Sequence, residues 1–213
     1  MSVRSRRTFL SHLLATGAVF GSRTGLSALE LAAIVPDIVL SPGSAAVEVA
    51  PGGVWNTWAY NGRVPGPLVR LQQGREARLR LANGLAEPTT IHWHGIPVPN
   101  AMDGVSGLTQ PPVQPGSTFD YVFTPTVPGT YLYHSHHGLQ MDRGLIGPLI
   151  VDPTDPSSEP ASDREYVLVL DDWLTITPEE AMAQLERSGM GMGGGSDTPS
   201  YAGYLVNLSL IHI

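Results

Sequence analysis

An all-β fold, a β-sandwich or Greek-key barrel over residues 36–153, is what the sequence predicts, on three observations. From Ile38 onward short apolar stretches recur with turn residues between them, the pattern of a chain that keeps reversing. The 24 Gly and 19 Pro stand singly between those stretches and form no low-complexity tract. In Glu76-Ala77-Arg78-Leu79-Arg80-Leu81 polar and apolar residues alternate strictly. Successive side chains of a strand point to opposite faces, so this alternation buries one face and wets the other.

The expected strands are Val47–Val49, Val54–Tyr60, Leu68–Leu71, Ala77–Ala82, Thr89–Trp93, Phe119–Phe123, Thr130–His134 and Leu145–Val151. Asn83-Gly84 turns the chain after the fourth of them. The stretch from Asp152 to Pro160 has no large apolar side chain and is rich in Pro and Ser, which predicts a linker at residues 154–163. Beyond it, Glu165–Leu170 reads as the opening strand of a second domain at residues 164–207. Thr177 is the expected N-cap of a helix with Pro178 at its first position, running to Arg187 and ended by Gly189, and Tyr204–Val206 reads as one more strand. Two strands and a helix cannot bury a core of their own, so this second domain is expected to be an incomplete start.

A 213-residue chain with 42% hydrophobic residues can bury a core, and its formal charge of −7 argues against nucleic acid as a partner. A product starting at Leu29 would lose Arg4, Arg6, Arg7 and Arg23, which takes that charge from −7 to −11. With no Cys, disulfides and thiolate metal sites are excluded, and so is a blue-copper centre built from these residues alone.

Ser5-Arg6-Arg7-Thr8-Phe9-Leu10 precedes a modestly apolar run from Leu13 to Phe20, with no acidic residue before Glu30. This resembles a twin-arginine export signal over residues 1–33 and implies the twin-arginine export machinery as a partner and a periplasmic or secreted product. The apolar run is shorter than the roughly 20 residues a spanning helix needs, so no membrane span is expected in the mature chain. His12 lies inside this segment and receives no role.

Thr90-Ile91-His92-Trp93-His94-Gly95 sets two imidazoles at i and i+2 near a strand end, and alternation sends both to one face. Tyr131-Leu132-Tyr133-His134-Ser135-His136-His137-Gly138 repeats the device, with His134 and His136 on one face and His137 on the other. If the two strands are neighbours, four imidazoles converge. Such a set, without thiolate or carboxylate, favours copper or zinc. His137 departs from the alternation and is left out of the cluster.

His92-Trp93-His94-Gly95 and His134-Ser135-His136, with Gly144-Leu145-Ile146-Gly147-Pro148-Leu149-Ile150-Val151 behind the second pair, resemble the first two copper motifs of the multicopper oxidases. The resemblance runs from about Trp55 to Trp173 and is nearest to the laccase-like and copper-resistance members. It implies a cupredoxin-like Greek-key β-barrel, followed by the start of a second cupredoxin domain. It further implies that His92 is a type 2 copper ligand and that His94, His134 and His136 bind a type 3 copper pair. The type 1 copper site and the other half of the cluster lie in a C-terminal domain of such proteins, so this chain alone is expected to be inactive.

Asp103, in Met102-Asp103-Gly104, sits where the family keeps an acidic residue beside the type 2 copper. A carboxylate there can relay protons to a site that reduces dioxygen to water, with phenols or Cu(I) as the one-electron reductant. Trp93 and Tyr133 are expected in the barrel packing. Met190 and Met192 stand in a Gly-rich stretch whose composition reads as a mobile loop, with thioethers suited to Cu(I).

The alternative from another class is a non-catalytic periplasmic copper-binding cupredoxin, and a third reading is a zinc protein. An oxidase needs downstream H-x-x-H-x-H and H-C-H segments, which a binding module does not. Tyr204-Leu205-Val206-Asn207 follows the family pattern until Leu208 replaces the usual Gly. Residues 208–213 back-translate to CTG TCT CTT ATA CAC ATC, the transposon end of tagmentation libraries. They are therefore expected to be adapter sequence, with His212 no ligand.

Overall fold

The computed structural model describes residues 35–50, 53–158, 160, 162–189, 198–207 and 209–210. The export segment, Met190, Met192 and His212 lie outside the described residues.

The period-two stretch is a strand of the predicted kind. In β5 (Ala77–Ala82) the apolar residues Ala77, Leu79 and Leu81 are buried while Arg78 is exposed. β5 takes β1 (Ile38–Leu40) as a parallel neighbour, Leu40 opposite Leu81, and β7 (Thr118–Phe123) as an antiparallel one, Ala77 opposite Phe123. On the wet face Arg80 and Asp120 stand opposite each other and form a bidentate pair at 2.6 and 2.8 Å.

A four-stranded sheet faces this one, in the order β4 (Val69–Gln72), β9 (Ile146–Asp152), β8 (Gly129–His134), β6 (His92–His94). β4 runs parallel to β9, while β8 is antiparallel to both β9 and β6. The core between the sheets joins Leu40, Leu79, Leu81, Tyr121 and Phe123 to Val69, Trp93, Tyr133, Leu149 and Val151. Trp93 is fully buried, with Tyr121 edge-on at 5.2 Å, Phe123 at 5.3 Å and Tyr133 at 6.2 Å. Such aromatic pairs add about 0.5–1.5 kcal/mol each beyond their buried area.

A hairpin of β2 (Pro42–Ala50) and β3 (Gly53–Tyr60) forms a separate two-stranded sheet. The C-terminal elements build a third small sheet: β10 (Leu170–Trp173), β11 (Gly203–Val206) and β12 (Ser209–Leu210). Between β10 and β11 lies α1 (Pro178–Gly189). Its first turn is closed by a reciprocal box in which the Glu180 N–H donates to Thr177 Oγ1 at 3.2 Å and the Thr177 N–H to Glu180 Oε2 at 2.9 Å.

Beyond the added strands β1 and β12 and the longer β2, three expectations are corrected by pairing partners. The strand expected at Glu165–Leu170 lies instead at Leu170–Trp173, because the backbone that pairs with Gly203–Val206 is this later one; Tyr166 and Leu168 are 74% and 66% exposed. The strand expected at Thr89–Trp93 narrows to His92–His94, since Thr89 exchanges its backbone hydrogen bonds with Val113. Asn83 ends β5 without a hairpin, and its Nδ2 donates to Glu87 O at 2.9 Å and Val113 O at 2.8 Å.

The Tyr133 ring packs against Gly147, and its hydroxyl donates to Pro67 O at 2.7 Å. An added Cβ at Gly147 would run into the ring, whose far end is already held. Gly147→Ala is therefore expected to destabilise the barrel by about 1–3 kcal/mol through overpacking. Urea unfolding checks it: the midpoint should fall at constant slope, and an unmoved midpoint would remove Tyr133 from the packing argument.

Candidate metal centre

The two histidine-bearing strands are neighbours. β6 and β8 pair antiparallel with His92 opposite His134 and His94 opposite Leu132. Alternation along β6 sends Trp93 into the core and turns His92 and His94 outward together. His92, His94 and His134 each offer a ring nitrogen, and these atoms lie within 4.8 Å of one another. His136 joins from the side, its ring 5.3 Å from that of His92 and stacked on that of His134 at 6.0 Å. It is exposed and lies beyond the end of β8, so strand alternation does not place it.

The outward nitrogens are set by what holds the other side of each ring. His92 Nδ1 lies 2.7 Å from Asp103 O, and His134 Nδ1 lies 2.8 Å from Ser135 O. A carbonyl can only accept, so both rings carry the proton on Nδ1 and present a lone pair on Nε2. His94 Nδ1 sits 3.2 Å from His134 Nε2 and bonds to it. A metal ion bound there would take the place of that proton.

Burial pulls the His134 imidazole below its ordinary pKa of 6.5, with the neighbouring His92, His94 and His136 adding to the effect and the Ser135 carbonyl opposing it. The neutral ring, the form that ligates metal, is thereby favoured.

Asp103 reaches the site from the turn after the 3-10 segment Asn100–Met102. Its carbonyl holds His92, and its carboxylate Oδ1 is 3.4 Å from His92 Nδ1 with the side chain 30% exposed. Gly104 makes this approach possible. It has φ +76°, and an added Cβ would strike the Ile91 carbonyl oxygen. His137 turns away from the cluster and shares a 2.8 Å hydrogen bond with Ser106 Oγ. Trp93 and Tyr133 both lie in the core.

Residues 44–156 match the family described as multicopper oxidase. The chain belongs to the multicopper oxidase family. Among its relatives, copper resistance protein A of Escherichia coli is 39% identical over 193 residues, covering 86% of this chain and 31% of that protein. L-ascorbate oxidase of Brassica rapa subsp. pekinensis is 44% identical over 119 residues, covering 54% of this chain and 21% of that protein. Among solved structures, the multi-copper oxidase from Pseudomonas thermotolerans superposes with a TM-score of 0.64 at 36% identity, over 83% of this chain and 42% of that one. The chain thus spans about a third of the length of the curated relatives it matches. The barrel is a cupredoxin fold, the fold of this family's solved members.

In this family member the predicted residues His92, His94 and His134 come together, His136 flanks them and Asp103 stands behind His92. Sequence reasoning missed Gly104, and it missed Thr89, Ser135 and Gln140, whose buried side chains bond to one another beside the two histidine-bearing segments in the chain. For Gly104 a signal existed in the Asp-Gly pair, a frequent turn pair.

His134 also predicts a pH dependence. A lowered folded-state pKa means that the unfolded chain binds the proton more readily. The stability contribution is then present in full above the ordinary imidazole value and lost as pH falls through the lowered one. Urea midpoints measured from about pH 7.5 to pH 5 should fall more in the wild-type chain than in His134→Gln. Parallel profiles would mean that His134 does not titrate as a buried ring.

Proposed function

We propose that this chain supplies half of the copper cluster of a laccase-like multicopper oxidase, which oxidises phenols or Cu(I) in one-electron steps and reduces dioxygen to water. The observation that carries the reading is the convergence of His92, His94 and His134 nitrogens within 4.8 Å on the outer face of a β6–β8 pair. The donor set suits copper: imidazoles only, with His92 and His134 donating Nδ1–H to carbonyl oxygens and leaving Nε2 to face the cluster. His92 would be the type 2 ligand, and His94, His134 and His136 the ligands of a type 3 pair. Copper, when bound, supplies the one-electron redox chemistry.

The chain's own residues would orient and protect the site. The Asp103 carbonyl and the Ser135 carbonyl fix two rings, and buried Trp93 closes the barrel beneath them against water. The Asp103 carboxylate, partly exposed and 3.4 Å from His92, would pass protons inward, which reduction of dioxygen to water requires. The remaining cluster ligands and the type 1 site would come from sequence outside these 213 residues. Residues 36–153 would form the first cupredoxin domain, joined by a linker at 154–163 to the start of a second. The Arg6-Arg7 signal would direct a periplasmic or secreted location by the twin-arginine route.

Two measurements test this. Amplifying the source locus past the Asn207 codon should recover H-x-x-H-x-H and H-C-H motifs, whereas a native stop there would favour a copper-binding module without catalysis. In the complete oxidase, His94→Ala and His136→Ala should lose type 3 copper, while Asp103→Asn should keep its copper and reduce dioxygen about 10²–10⁴ times more slowly. An Asp103→Asn enzyme with an unchanged rate and pH profile would leave Asp103 only its place in the turn before Gly104.

A further inference from the structure

We infer that Gln140 is the positioning residue that locks the two histidine-bearing segments to each other; the inference rests on the copper reading of the site. Its side-chain amide is buried at 3% exposure and used on both ends. Oε1 accepts from Thr89 Oγ1 at 2.7 Å and from Ser135 Oγ at 2.7 Å, and Nε2 donates to Pro88 O at 2.9 Å. Thr89 and Ser135, 0% and 4% exposed, also touch each other at 3.2 Å.

These partners belong to the two sides of the metal centre. Pro88 and Thr89 lead directly into His92. Ser135 separates His134 from His136, and its Oγ accepts the His137 N–H at 3.3 Å. The strand ladder fixes only part of this arrangement. β6 is three residues long, and β8 ends at His134, so no ladder bond holds Ser135 to the His92 side. Ser135 is held by its N–H to Leu145 O at 3.0 Å and by Gln140. Exposed His136, which alternation cannot place, therefore takes its position from a segment pinned through Gln140.

A methionine at 140 would keep the length and much of the volume of the side chain while removing every one of these hydrogen bonds. A carboxylate at 140 would still accept, but it would turn an oxygen toward the Pro88 carbonyl where the amide now donates. The exact amide is what the three partners require.

The test uses the full chain and cupric ion as the probe, with affinity from competition against glycine and geometry from the electron paramagnetic resonance spectrum. Gln140→Met is expected to weaken cupric binding about 10–100-fold, the usual range for partners behind metal ligands, and to change the hyperfine pattern. Ser135→Ala, which deletes one of the two bonds to Oε1 together with the Ser135 Oγ contacts to Thr89 and the His137 N–H, should also weaken binding and decides the matter if Gln140→Met does not fold. Leu79→Ala, in the core of β5 away from the site, should lower the unfolding temperature yet leave the spectrum as in wild type. A second readout needs no metal: imidazole nitrogen spectra of the metal-free chain should show His134 and His136 shifted or broadened in Gln140→Met. Wild-type affinity and spectra in Gln140→Met would overturn the inference. If the wild-type chain itself bound no cupric ion, the copper reading of these histidines would fall, and the metal-free nitrogen spectra alone would decide the role of Gln140, unshifted His134 and His136 signals in Gln140→Met overturning it.

Discussion

The pairing of β6 with β8 is the constraint on which the site depends. An antiparallel pair sets residues opposite one another by register, and here the register places His92 opposite His134. A slip of one residue would send Trp93 outward and both β6 imidazoles into the core. Trp93 resists that slip: its ring is fully buried among Tyr121, Phe123 and Tyr133, so the apolar face of a three-residue strand fixes the direction of its polar face. The packing of the barrel and the convergence of the ligands are two faces of one register.

Four imidazoles close together are an unfavourable group unless they remain neutral. Burial favours the neutral form of His134, while two carbonyl oxygens, Asp103 O for His92 and Ser135 O for His134, accept the Nδ1–H of their rings. The same bonds select which nitrogen faces the cluster. Orientation is therefore settled by backbone that the local sequence supplies: Ser135 is adjacent to the ring it holds, and Asp103 is brought in by a glycine that lets the chain pass the Ile91 carbonyl.

Much of this was legible in the sequence because strand periodicity is a local signal. The alternation in Glu76–Leu81 and the two H-x-H pairs each declare a face, and two such faces on neighbouring strands meet. What was not legible depended on distant partners. Gln140 contacts residues 51 and 52 positions away through Thr89 and Pro88, and nothing about an isolated glutamine announces that. His136 was expected on the face of His134 by alternation, yet the strand has ended before it. The strand expected at Glu165–Leu170 failed for a related reason: alternating Tyr166, Leu168 and Leu170 satisfy the period, but pairing with Gly203–Val206 decides which residues form the ladder.

The C-terminal elements show how a segment too small to bury a core can still be ordered. Leu205 in β11 is 1% exposed, packed with Val47, Val49, Ala59 and Val64, so its apolar contacts come from the β2–β3 side of the barrel domain. Trp173 adds an edge-on contact to Trp55 at 5.8 Å, and Arg143 lies over Trp58 at 4.6 Å while bonding Glu179 of α1 at 2.5 Å. Arg143 ends the 3-10 segment Met141–Arg143, which begins directly after Gln140. One short stretch of chain thus faces two ways, with Gln140 turned inward to the histidine segments and Arg143 turned outward to the hairpin and the helix. The C-terminal packing and the geometry of the metal centre are joined there through three consecutive peptide bonds.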